Sequence, residues 1–254
     1  MRVSRPALPL ACLLALLHGP LVKPVAAADQ AGTGDREDWG EDGGLEARIA
    51  AVNEGELRFV GPEAAAGHHV HFNRIRIDRA SLRGGWVTLE QCHEQLDAVP
   101  AAQILYNPER IRRLRVQSAE GIGRAWVEGH SVQLEDVGHQ ARLCIAGESR
   151  ALSDLGLGRY RLRNGPYMRR FLDGYYPMRV VLEIRYPPEA LHFEAPHPGP
   201  QPGFEVHHRE GEVQVDATFE GRLYTCMDFL VAGGVAETGP APPCPANTGP
   251  VPIE

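Results

Sequence analysis

Apolar and polar residues alternate strictly along several stretches of this chain, and that period of two narrows the available folds more than any other feature. Met178, Val180, Leu182, Ile184 and Tyr186 interleave with Arg179, Val181, Glu183 and Arg185. Val213, Val215, Ala217 and Phe219 interleave with Gln214, Asp216 and Thr218. Successive side chains of a strand point to opposite faces, so each stretch presents one apolar face and reads as a half-buried strand. Ile49 and Ala51, then Leu57 and Phe59, flank Asn53-Glu54-Gly55, which reads as a hairpin turn. Val70 and Phe72 lie on one parity and Ile75 and Ile77 on the other, so a bulge near Asn73-Arg74 is predicted to restore a common buried face. Further strands are predicted at 84–91, 111–117, 122–127, 131–137, 140–146, 157–163, 203–208 and 221–231. Residues 167–172 alone look helical, and Gly165-Pro166 and Gly174 confine that helix to a turn or two within 166–173. The fold class that follows is mainly β, an antiparallel β-sandwich. It is read either as one continuous sandwich or as two modules, 47–150 and 151–237.

The ends have a different character. Arg2 and Arg5 precede an apolar run at 7–17, His18-Gly19-Pro20 breaks it, and Val25-Ala26-Ala27 offers small residues for cleavage. Residues 1–27 therefore read as a signal peptide, and the run is too short to span a bilayer. Cys12 lacks the preceding leucine of a lipobox, since Pro9 stands there. Residues 28–46 are acidic and glycine-rich and read as a disordered leader; residues 238–254 are a proline-rich tail. The expected location is the periplasm or the medium. Four cysteines remain beyond residue 27, and an even number in an exported chain favours disulfides. Of the three possible connectivities, Cys92–Cys144 with Cys226–Cys244 is preferred, because each pair staples a local region.

Lys23 is the only lysine, so a chain cleaved after Ala27 has none. That excludes lysine Schiff-base chemistry, P-loop phosphate binding and a Ser-x-x-Lys nucleophile. The net charge is −7, yet residues 110–179 hold thirteen arginines against seven acids. Arg159, Arg161 and Arg163 share one strand face, and Arg169 and Arg170 follow among Tyr167, Tyr175 and Tyr176. Guanidinium forks beside aromatic rings suit carboxylates, phosphates or sugars. These residues form the first candidate site, for an envelope protein or a small anionic or sugar-like ligand. The bland alternative is a solvated surface in which the arginines face the protein's own acids. Nucleic acid is disfavoured for an exported, acidic chain.

The second candidate is His68-His69-Val70-His71. His69 and His71 fall on one strand face with rings about 7 Å apart, a spacing at which two imidazoles suit Cu or Zn. His207 is a candidate third ligand. The bland alternative is a set of exposed polar positions. Gly147-Glu148-Ser149-Arg150-Ala151 superficially matches a nucleophile elbow, but Ala151 replaces its second glycine and strands, not a helix, follow. The sequence thus favours a non-catalytic exported protein that binds through its Arg/Tyr surface, with a periplasmic copper or zinc protein as the alternative.

Overall fold

The computed structural model describes residues 53, 55–171, 174–233 and 243–244 of the chain. The predicted leader, the signal peptide and Ile49, Ala51 and Glu54 of the expected hairpin lie outside the described residues, as does the tail apart from 243–244. The described part is mainly β and almost wholly antiparallel. One sheet is built around β14 (Glu212–Glu220), β11 (Met178–Arg185), β2 (Val70–Arg76), β3 (Trp86–Leu96), β6 (Ser131–Arg150) and β4 (Val99–Leu105), hydrogen-bonded in that order. The short β1 (Arg58–Phe59) and β13 (Phe204–Arg209) both pair with β14, and β5 (Ile111–Glu128) pairs with β6. Strands from both sides of residue 150 therefore share this sheet. Its one parallel contact, β2 against β11, is possible because a long crossover separates the two strands.

A second sheet runs β12 (Leu191–His197), β15 (Leu223–Val231), β8 (Arg159–Tyr167) and β7 (Leu152–Gly156). The alternation read from the sequence is what joins the two sheets. Val180, Leu182, Ile184, Val213, Val215, Ala217 and Phe219 from the first meet Leu152, Leu162, Leu191, Leu223, Met227 and Phe229 from the second in one buried core. A smaller core lies along β6, where Val132, Leu134, Val137, Leu143 and Ile145 pack against residues of β4 and β5. No helix among the described residues is long and apolar enough to cross a membrane.

Both expected disulfides are present. Cys92 and Cys144 are direct partners in the β3–β6 register with Cα atoms 4.1 Å apart, and Cys226 of β15 joins Cys244. Three expectations differ. The helix placed at 166–173 is absent from the described part: Pro166 and Tyr167 end β8 and Arg169–Phe171 form β9, while helical turns occur instead at Pro62–Ala65 and Ser81–Gly84. The pairs of strands expected at 111–117 and 122–127, and at 131–137 and 140–146, are each one long strand. Bulges in β5 and the positive φ of Arg113, Gly121, Asp136 and Gln140 let these ribbons bend without ending. Finally, β2 has no bulge at Asn73-Arg74; its registers to β3 and β11 are continuous. The inward parity is His71, Asn73 and Ile75, and Val70 and Phe72 take the other face.

Candidate functional site

The unbroken parity of β2 turns two histidines inward. His71 stands directly opposite His93 in the antiparallel β2–β3 register, and the two rings lie 4.3 Å apart between centroids at an interplanar angle of 29°. His69, one residue before β2, shares the face of His71 at 6.3 Å and that of His93 at 5.2 Å. His69 Nε2 is 3.0 Å from His93 Nδ1, a hydrogen bond between imidazoles whose direction depends on the tautomers. Around them the inward face stays polar. Tyr167 meets the His71 ring edge-on, and its hydroxyl accepts a 2.6 Å hydrogen bond from Asn73 Nδ2. Tyr106 donates its hydroxyl to Gln91 Oε1 at 2.6 Å. At the rim, Arg169 grips both oxygens of Asp97, at 2.7 and 3.0 Å.

His71 and His93 are only 7% and 6% exposed. Removal from water disfavours the imidazolium, so burial lowers His71 to about 3, with the neighbouring His69 adding to the effect. Burial also lowers His69, to about 4; Asp97 opposes that shift and Arg169 reinforces it. His93 is pushed well below its ordinary value by burial and by both neighbours. All three are neutral at pH 7. Nε2 of His71 and Nε2 of His93 are buried with no hydrogen-bond partner among the described residues. Unpaired buried nitrogen is costly, which makes this cluster the most anomalous feature of the core.

Metal binding needs lone pairs that converge on a point, and imidazole lone pairs lie in the ring plane. The three rings are stacked, with interplanar angles of 11°, 20° and 29°, so those directions run side by side. Among the described residues no group of three or more His, Cys, Asp or Glu side chains is arranged to hold an ion. His207 does not join the cluster. It lies on β13, separated from β2 by β14 and β11, about 14 Å across the sheet at the usual strand spacing. Its side chain is exposed, 3.8 Å from Glu205.

The Arg/Tyr residues divide into inner and outer groups. Arg161 is 6% exposed and forms a bidentate pair with Asp228 at 2.6 and 2.7 Å; His197 Nε2 lies 3.2 Å from the same carboxylate. Arg159 pairs with Glu194 and Arg169 with Asp97. Arg163 lies over the Tyr224 ring, and Tyr167 is buried beside the histidines. The outer group sits on a separate two-stranded hairpin, β9 (Arg169–Phe171) and β10 (Gly174–Tyr176). There Arg170 lies over Tyr175, Arg169 over Phe171 and Tyr176, and Phe171 meets Tyr176 edge-on. Phe171 is 38% exposed, one of three large hydrophobic residues left so among the described residues. Ser149 sits inside β6, flanked in register by Val87 and Ile111, with no histidine beside it on either neighbouring strand.

Sequence reasoning missed His93, Asn73, Gln91, Tyr106 and Asp97. His93 was reachable: it follows Cys92 and shares the parity of Val87 and Leu89 on β3.

No family model matches the chain, and no curated protein matches it. Solved structures similar to it include an M1 zinc metallopeptidase from Deinococcus radiodurans, 12% identical with a TM-score of 0.33 over 70% of this chain and 43% of that one. A variant of the M1 zinc metallopeptidase from the same organism, bound to a Tyr-Ser-Ala substrate, is 12% identical with a TM-score of 0.33, over 69% and 43%. A two-domain M1 zinc metallopeptidase variant bound to L-tryptophan is 14% identical with a TM-score of 0.32, over 70% and 44%. The chain thus spans less than half the length of these structures, and likeness of this size carries no activity across.

Proposed function

We propose that the protein is a non-catalytic, exported β-sandwich protein that captures an anionic, sugar-like partner in the cell envelope through the β9–β10 hairpin. The observation that carries this reading is the hairpin's composition. Arg170 is exposed, has no acidic partner among the described residues and lies over the ring of Tyr175 on one face of the hairpin, while the exposed ring of Phe171 packs with Tyr176 and Arg169 on the other face. Aromatic faces stack on sugar rings, and a guanidinium fork takes the carboxylate or sulfate of an acidic glycan. Export rests on the signal-like residues 1–27 and agrees with two disulfides, which persist in oxidising compartments. Heparin, a sulfated and carboxylated glycan, is a suitable probe. At net charge −7 the whole protein repels a polyanion, so retention reports a local site. The expected result is retention on a heparin column at low salt, abolished by R170A with F171A and unchanged by R58A. Equal retention of the hairpin variant would remove the proposal.

A second reading, a copper or zinc protein, is favoured by one observation: His93 brings a third imidazole to His69 and His71, leaving two buried Nε2 atoms without partners. An ion would require the rings to turn out of their stack. Metal analysis of untagged protein tests it. Close to one equivalent of Cu or Zn, lost in H93A, supports this reading; below about a tenth of an equivalent, with no uptake on titration, it fails.

A further inference from the structure

Away from the hairpin and the histidines, the ends of β2 and β11 bring positive charge together. Arg76 and Arg185 are direct neighbours in the parallel β2–β11 register, so both guanidinium stems rise from the same face. Like charges side by side on adjacent strands destabilise a sheet. Arg185 is relieved by Glu183 at 2.5 Å and Glu212 at 3.8 Å, but Arg76 has no ion pair among the described residues. Arg79, just after β2, and Arg83, on the helical turn Ser81–Gly84, reach the same place. Together the four arginines line an open concavity of about 650 Å³ with Asp78 and Glu189. Both acids are already engaged: Asp78 accepts hydrogen bonds from the backbone N–H and hydroxyl of Ser81, and Glu189 pairs with Arg79. Arg83 has no acidic partner among the described residues, and Arg76, without an ion pair, is offset only by the nearby charge of Asp78. With four arginines against two acids in its lining, the concavity keeps a surplus of positive charge in an acidic chain, with Arg83 uncompensated and Arg76 only partly offset.

We propose that this concavity is a phosphate-binding site for a di- or polyphosphate group, with Arg76 and Arg83 as its primary ligands and Arg185 in support. Guanidinium forks bind phosphate oxygens bidentately, and a multiply charged anion offsets the Arg76–Arg185 repulsion that the fold otherwise bears. The site is open, so the phosphate group fits whether free or carried on a lipid headgroup. It shares no residue with the hairpin and stands or falls independently of it.

The test is calorimetric titration of the full chain with inorganic pyrophosphate at low salt. Saturable binding at one site is expected, weakened at least tenfold by R76A and by R83A and unchanged by R170A. Without pyrophosphate, R76A should melt no lower than the wild type, because it removes a repulsion; a purely structural arginine would show the opposite. Co-sedimentation with neutral vesicles carrying an isoprenoid diphosphate lipid, lost in the same two variants, would assign a headgroup as the source, and its absence with pyrophosphate binding intact would assign a free phosphate. No saturable pyrophosphate binding at millimolar concentration, or an equal loss of affinity in R58A, would overturn the proposal.

Discussion

Lowering the pH from 7 to 4.5, in the presence of a chelator, is expected to destabilise the protein by about 3–6 kcal/mol. Each pKa unit between folded and unfolded states corresponds to about 1.4 kcal/mol. An imidazole whose folded pKa is depressed binds fewer protons in the native state than in the unfolded state. Its contribution is intact above the unfolded value of about 6.5 and is lost as the pH falls towards the folded value. For His71 that window runs from about 6.5 down to about 3, and for His69 from about 6.5 to about 4. At pH 4.5 an imidazole held neutral has lost about 2.7 kcal/mol, so the range corresponds to one to two of the three at full value, discounted for proton uptake by the partly exposed His69, whose folded value is about 4. The charges facing the cluster are Asp97, which favours a protonated His69, and Arg169, which opposes it. Asp78 and Asp97 are lowered from about 3.8 and lose their stabilisation below this window, whereas Glu148, Glu189 and Glu212 are lowered from about 4.5 and begin to lose theirs at its acid end, so the histidine variant is the control that isolates the imidazoles. Urea midpoints at pH 7 and 4.5 read the effect, and H93Q should flatten the dependence. Equal midpoints for the wild type would mean that the imidazoles are not buried neutral.

The second large effect lies in the other sheet. D228A is expected to destabilise by about 3–5 kcal/mol, because it takes the bidentate partner from a guanidinium that is 6% exposed and leaves that charge in the core. The pair itself need not be strongly stabilising, since desolvation offsets much of its attraction. The double substitution R161M with D228L should therefore recover most of the loss, to within about 2 kcal/mol of the wild type. Thermal unfolding of the three proteins at pH 7 checks this. A D228A protein as stable as the wild type would mean that Arg161 reaches solvent.

What was legible in the sequence was whatever depends on near neighbours. Strict alternation at Met178–Arg185 and Glu212–Glu220 gave the strands and their buried faces, and local stapling gave both cysteine pairings. His69 and His71 do share a face, 6.3 Å apart. Which face was misread for a physical reason. Val70 and Phe72 are apolar and histidine is polar, so hydrophobicity turned β2 over locally and required a bulge. The fold instead keeps the parity set by Ile75 and lets Tyr167, Asn73 and stacking between the rings accommodate the polar residues. The arginine block was legible as a cluster but not as a division of labour. The partners of Arg161 and Arg169 lie 67 and 72 residues away, and only the tertiary fold shows that they are taken. The helix expected at 166–173 rested on local composition, and pairing of β8 with β15 overrode it.

If the inner arginines hold the fold while the hairpin end recognises a partner, stability and recognition separate by mutation. Melting temperature and heparin retention, measured side by side on R170A/F171A and on R161M/D228L, test it most directly. The hairpin variant is expected to keep its melting temperature and lose retention, and the inner variant to keep its retention. Retention lost in the inner variant but kept in the hairpin variant would contradict it.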